Sequence, residues 1–184
     1  LKYREYNILL SGEVGNYSTM LDYRTPKERI EKVAPWLTLD GNPYPAVVDG
    51  RVQWIVDAYT TSASYPYSQL QSIDSATTDA LTQRGRSVQE IRAGQVNYIR
   101  NSVKATVDAY DGRVNLYTWD EHDPVLKAWS SVFDGTVRPM SELSGGLRSH
   151  LRYPEDLFKV QRQLLTKYHI SDPSSFYSGG DYWK

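Results

Sequence analysis

The sequence predicts an α+β fold in which β-hairpins build an antiparallel sheet and helices pack on one side or end of it. Three observations carry that expectation. Two Asp-Gly turns, Asp49-Gly50 and Asp111-Gly112, each sit between runs rich in valine, isoleucine and aromatic residues, the chemistry of a tight hairpin. Val103, Ala105, Val107 and Ala109 alternate with Lys104, Thr106, Asp108 and Tyr110, the period of a half-buried strand with one face on a core. Helix-start signals fall outside these strands, at Thr25-Pro26, Asp123-Pro124 and Tyr153-Pro154.

From the N-terminus, Glu5 to Ser11 reads as a short strand, its Ile8, Leu9 and Leu10 closed by Ser11-Gly12 turn chemistry. Thr25-Pro26-Lys27-Glu28 combines a capping box with proline at the first helical position, so a helix follows. Its Ile30, Val33, Ala34 and Leu37 keep helical spacing, and Pro35, which cannot donate an interior hydrogen bond, ends regular helix near Trp36. Val48 to Trp54 and Tyr110 to Tyr117 carry the two hairpin turns. Between the hairpins, residues 68–93 are polar, with Ser72, Asp74, Ser75, Thr77, Thr78 and Asp79 clustered and few large apolar anchors; this stretch is expected to be mobile. Asp123-Pro124 opens a second helix with Val125, Leu126, Trp129 and Val132 inward and a stop at Asp134-Gly135. Ser144-Gly145-Gly146 reads as a loop. Tyr153-Pro154-Glu155-Asp156 opens the strongest helix, with acids in its first turn and lysine in its last. Leu157, Phe158, Val160, Leu164, Leu165 and Tyr168 would form its apolar face.

The 184 residues suit a single soluble domain or a domain fragment. Residues 1–184 begin at Leu1 without methionine and stop directly after Tyr182-Trp183, which reads as a piece of a larger protein. Lysine and arginine total 21 against 22 acids, a formal charge of −1, so a global footprint for nucleic acid is missing. A hydrophobic share of 40% fits a folded domain rather than a disordered chain. The absence of cysteine excludes disulfides, thiol nucleophiles and thiolate zinc sites. No apolar run approaches the ~18 residues that a membrane helix needs.

Asp120-Glu121-His122-Asp123 is the densest ionisable cluster, yet its neighbours in a turn diverge and Asp123 is needed as a helix cap. It reads as a charged turn rather than a metal site, and no cofactor is expected. A glycan hydrolase would need two facing carboxylates, and Asp57 and Asp108 could supply them if the hairpins adjoin. No nucleophile elbow, phosphate loop or dinucleotide fingerprint occurs. His150 and His169 read as a polar turn residue and a helix-end dipole partner. Tyr59, Tyr65, Tyr67 and Tyr98, with Arg100, form the candidate recognition surface, because interfaces favour tyrosine and arginine.

Long strings in the chain resemble a known family: Trp54 to Ser62, Tyr65 to Ser68, Asn97 to Gly112 and Leu151 to Gln161, with Arg29 to Leu37 and Leu39-Asp40 in support. Gly41-Asn42-Pro43-Tyr44 departs mildly from the acidic-then-proline form of that family. It is an uncharacterised protein family (UPF) of large proteins, typical of actinobacteria, with several N-terminal membrane helices and a long soluble region. The resemblance implies a piece tethered to the cell membrane, and an odd number of membrane helices after a cytoplasmic N-terminus would place it outside the cytoplasm. It implies no catalytic residues. The expected function is a non-catalytic extracytoplasmic module that binds envelope components, itself or other regions of the parent membrane protein; the alternative is a hydrolase using Asp57 and Asp108.

Overall fold

The chain's longest β-prone runs become its two longest strands, and everything else is arranged around them. In this computed structural model the described residues are 22–73, 77 and 95–183, together with Gly12, Gly15 and Tyr17. The strand expected over Glu5 to Ser11 lies outside them, as does the greater part of the polar segment 68–93. The strands are β1 (Thr38–Leu39), β2 (Tyr44–Val48), β3 (Arg51–Ser62), β4 (Gln71–Ser72), β5 (Gln95–Val96), β6 (Tyr98–Asp108), β7 (Val114–Thr118) and β8 (Val137–Arg138). β3 and β6 pair antiparallel at the centre of a six-stranded sheet. β1 and β2 share the outer edge of β3, β7 follows β6, and β8 closes the far side parallel to β7. β4 and β5 form a separate antiparallel pair.

Both Asp-Gly turns join antiparallel neighbours. In the first, Val48 faces Arg51, and Asp49 and Gly50 both take positive φ, 49° and 77°, the geometry of a type I′ turn. The second is looser: Val107 faces Val114, and within the turn only Gly112 has positive φ, at 71°. The Asp108 carboxylate shapes it by accepting from the amides of Tyr110 and Asp111, while Arg51 from the first hairpin holds the same carboxylate at 2.7 and 2.9 Å.

The helices are α1 (Pro26–Val33), α2 (Pro124–Val132), α3 (Gly145–His150), α4 (Glu155–Tyr168) and α5 (Pro173–Ser178), with a 3-10 turn at Met140–Glu142. Thr25 and Glu28 complete the capping box of α1, and Ala34 ends it before Pro35. Helices pack on both faces of the sheet. On the first face, Val56, Ala58, Val103, Ala105, Val107 and Leu116 meet Ile30 and Ala34 beside α1 and Leu126 of α2. On the second, Val48, Ile55 and Tyr117 meet Leu143 and Leu147. All seven residues from Asn101 to Val107 are therefore buried. The polar members of the alternation, Lys104 and Thr106, face a second packed layer and not water.

Three local readings need correction. Ser144-Gly145-Gly146 starts a helix, because the Ser144 hydroxyl accepts from the Leu147 amide and caps it. In α2 only Leu126 is buried; Trp129 lies outside, stacked between Trp36 and Phe133, and Val132 is exposed. In α4 the buried residues are Asp156, Lys159 and Val160, while Leu157 and Leu164 are half-buried and Phe158, Leu165 and Tyr168 are exposed. Half-burial of Leu164 lowers the expected cost of Leu164→Ala below the ~2–5 kcal/mol of a core leucine.

Gly112→Val is expected to lower stability by more than about 1 kcal/mol, since a β-branched residue resists positive φ. A Cβ there would also lie 2.1 Å from the Arg29 guanidinium, which donates to the Gly112 carbonyl. An unchanged thermal melt of that variant would contradict the tight-turn account.

Candidate functional site

A single irregularity in the central strand pair sorts the polar side chains. Ala58 faces Val103 and Thr60 faces Arg100, so Tyr59 alone stands opposite both Asn101 and Ser102. This bulge in β6 re-aims its side chains, as bulges beside sites commonly do. Ser102 joins Thr60, and their hydroxyls each donate to the Asp123 carboxylate at 2.6 Å. Asn101 instead joins Asp57 and Lys104, donating to Asp57 and to the Ala58 carbonyl.

Asp123 is a fully buried hub. Besides Thr60 and Ser102 it accepts from the Tyr98 hydroxyl at 2.5 Å and from the amides of Val125 and Leu126 that open α2. Burial pushes its pKa up, but the hydrogen bonds from Ser102, Thr60, Tyr98 and Val125 outweigh that and hold it below the ordinary carboxylate value. The phenol of Tyr98 moves the other way, to about 12, through burial and its bond to Asp123. The rest of the charged turn has other duties: Asp120 pairs with Arg100 at 3.2 Å and accepts from the His122 amide.

The recognition residues expected from sequence divide. Tyr65 stacks on Tyr98 with ring centroids 5.8 Å apart, and Asn97 fixes the Tyr65 backbone through both its amide and its carbonyl. Arg100 and Tyr67 are exposed nearby in the chain, Tyr67 with a positive φ of 57°. Tyr59 does not belong to this surface: it is 1% exposed and donates to Asp40, whose carboxylate also accepts from the amides of Asn42 and Asp156. Burial and the Asp40 charge push the Tyr59 phenol far above its usual range.

Asp57 and Asp108 are not brought face to face. The hairpins adjoin, but Asp57 faces Lys104 and Asp108 faces Gln53, four positions along the strands, or about 13 Å at strand rise. Each is also occupied. Asp57 forms a buried ion pair with Lys104, the two side chains being 4% and 1% exposed. Burial pushes the Asp57 pKa up against the pull of Lys104. Asp108 is held well below the carboxylate range by Arg51 and the turn amides.

An open cleft of about 840 Å³ lies over this second face. Asn101 and Lys104 line its floor, Trp119 to His122 one wall, and Arg148, Arg152, Tyr153 and Leu157 the other. Lys104 reaches the Arg152 carbonyl at 3.4 Å and stands 5.1 Å from the Trp119 ring centre. Arg152 packs its guanidinium on Tyr44, centred 4.5 Å away. Sequence reasoning missed this cleft; the signal available was Leu151-Arg152-Tyr153, a basic and aromatic step just before a helix. Tyr153 also borders the exposed side of α4, where Phe158, Leu165 and Tyr168 are 57%, 58% and 57% exposed.

The chain matches the uncharacterised protein family UPF0182 over residues 1–184 and belongs to that family. Among curated relatives, UPF0182 proteins of Kineococcus radiotolerans and Paenarthrobacter aurescens are 61% and 60% identical to it over 184 and 183 residues. The Thermobifida fusca UPF0182 protein is 58% identical over 183 residues. Each match covers 100% of this chain but 18% of the relative's length, so the chain is part of a larger protein. No solved structure matches it. Among the described residues no helix is long and apolar enough to cross a membrane.

Lys104→Ala is expected to cost about 3–5 kcal/mol, because it strands the Asp57 charge in the interior. Replacing both partners, as Asp57→Leu with Lys104→Met, should recover much of that loss in denaturant melts; equal losses in single and double variants would remove the ion pair as the cause. The lowered Asp123 pKa gives stabilisation that is complete above the unfolded value of about 3.9 and disappears as pH falls through the folded value. Asp123→Asn keeps one of the two amide bonds of the helix cap and should flatten the fall in melting temperature between about pH 5 and 3, whereas an unaltered acid profile would show that other carboxylates govern it.

Proposed function

We propose that this chain is a non-catalytic binding and assembly module of a larger membrane protein, facing the extracytoplasmic side, with the outer face of α4 seated against the rest of that protein. The observation that carries the reading is the exposed apolar row on α4, whose Tyr168 end packs on Phe176 of α5. Phe158, Leu165 and Tyr168 follow one another by seven and three residues, so they share a face, and Tyr153 extends it by packing edge-on against Phe158. Burial of Asp156 and Lys159 accounts for the orientation: their bonds fix which side of the helix meets the sheet and leave the large apolar side chains outward. Most of the relatives' length lies beyond the 18% that the chain spans, and it supplies the occupant. The membrane and extracytoplasmic parts of the proposal rest on the resemblance to multi-pass proteins. The non-catalytic part is supported by the engagement of Asp57 and Asp108 in separate ion pairs.

Leu165→Glu should leave the melting temperature of the chain within a few degrees of the parent while reducing its association with the remainder of the full-length protein, supplied in trans, by at least about tenfold. Undiminished association of the folded variant overturns the docking face. A concentration-dependent dimer of the chain alone, abolished by the same change, would replace docking with self-association. Because this chain has no cysteine, Tyr177→Cys in an otherwise cysteine-free full-length protein tests sidedness. Labelling by a membrane-impermeant maleimide in intact cells is expected, and labelling only after lysis would place the module inside.

A further inference from the structure

The cleft carries a second, separate binding function. We propose that it binds a phosphate ester bearing free hydroxyl groups, a polyol phosphate, through Arg148, Arg152 and Asn101. The chain as a whole is slightly acidic, yet the cleft is locally basic. Arg100 and Lys104 are committed to Asp120 and Asp57. Arg148 and Arg152 have no carboxylate partner among the described residues, and Glu121 is the one remaining acid on the lining. Arg148 and Arg152 both line the cleft, Arg152 with its guanidinium resting on Tyr44. Two planar guanidinium forks drawn together by a ligand can share the oxygens of a phosphate, which a carboxylate with two oxygens satisfies less completely.

The floor adds a demand of a different kind. Asn101 is 9% exposed, its Nδ2 is spent on Ala58 and Asp57, and its Oδ1 has no hydrogen-bond partner. A buried acceptor left open is costly. Oδ1 is covered in this structure, and an outward turn of the Asn101 side chain, which lines the cleft, would bring it to a ligand donor that relieves it. An ammonium donor would meet the Lys104 cation beside it, so a neutral hydroxyl is the donor that suits the site. Trp119 and Tyr153 border the same space and offer ring faces to the C–H groups of a polyol. Phosphate on the wall and hydroxyl at the floor together define the ligand class. Such a ligand has two sources, a soluble polyol phosphate or the headgroup of a glycerophospholipid.

The test is calorimetric titration of the chain with glycerol 3-phosphate, with inorganic phosphate, and with vesicles of phosphatidylglycerol against phosphatidylcholine. Glycerol 3-phosphate is expected to bind more tightly than inorganic phosphate, with affinity falling as salt rises. Arg148→Ala and Arg152→Ala should each weaken binding at least about tenfold, while Arg113→Ala, an exposed change outside the cleft, should not. Asn101→Ala, if its melt shows it folded, should reduce the glycerol 3-phosphate affinity to that of inorganic phosphate. Binding to phosphatidylglycerol vesicles alone, with the same response to the arginine variants, assigns the lipid headgroup as the source. Equal affinity for the ester and for inorganic phosphate in the unmodified chain overturns the hydroxyl part. Absence of binding to both ester and vesicle, or equal weakening by Arg113→Ala, overturns the site. None of these outcomes bears on docking through Leu165, so the two proposals fail separately.

Discussion

Burial of both faces of the β3–β6 pair is the constraint on which the rest of the structure depends. Hydrophobic residues meet it over most of the first face, with Thr60 and Ser102 bonded to the buried Asp123 at one end. The second face carries Asp57 and Lys104, and each ion taken from water costs several kcal/mol unless its partner is in place. The sheet must therefore be closed over by groups that complete the polar set. The Arg152 carbonyl, the Asn101 amide and the segment leading into α4 do so. The start of α4 is in turn tied down by Asp40 and Asp156, which exchange bonds with each other's neighbouring backbone: Asp40 accepts from the Asp156 amide, and Asp156 accepts from the Gly41 amide at 2.7 Å. These are bonds with fixed direction, so they select one seating of the helix where apolar packing alone would tolerate several.

The bulge opposite Tyr59 is what allows two polar systems to coexist in one strand pair without merging. Its extra residue sends Ser102 toward Asp123 and Asn101 toward Asp57. On one side, hydroxyls and amides surround a carboxylate and favour its charge, consistent with the lowered pKa of Asp123. On the other, burial dominates and the pKa of Asp57 rises despite Lys104. The two aspartates differ through their surroundings, not their chemistry: Asp123 caps a helix and is saturated with donors, whereas Asp57 depends on one cation and one amide.

Local signals were legible in the sequence because local chemistry decides them. The Thr25 capping box, the Asp123-Pro124 helix start and both Asp-Gly turns rely on atoms within a few residues of one another. Long-range burial was not. Alternating Val103, Lys104, Ala105 and Thr106 reads the same whether the polar side faces water or a second polar layer, since the pattern records polarity and not accessibility. The same ambiguity placed Tyr59 on a surface, where only its register beside Asp40 reveals it as core. It also assigned the apolar side of α4 to the interior, which is the usual rule for an amphipathic helix. Here the salt bridges of Lys159 with Glu155 and Asp156 lie on the buried side, and the rule is reversed for half the stripe.

That reversal has a mechanical consequence for the cleft. Tyr153 is both a wall of the cleft and the edge of the exposed row that continues through Phe158. Pro154, which follows it, is buried and caps α4, so the backbone between cleft and helix has little freedom to absorb a shift. Tyr153 is held further by its hydroxyl, which donates to Gln161 at 2.6 Å, and Gln161 also lines the cleft. An occupant of either proposed surface would act on the same ring and the same helix start. Coupling between the two would require no long pathway, only that a single aromatic side chain and the Asp40-anchored turn beside it favour different positions in the two bound states.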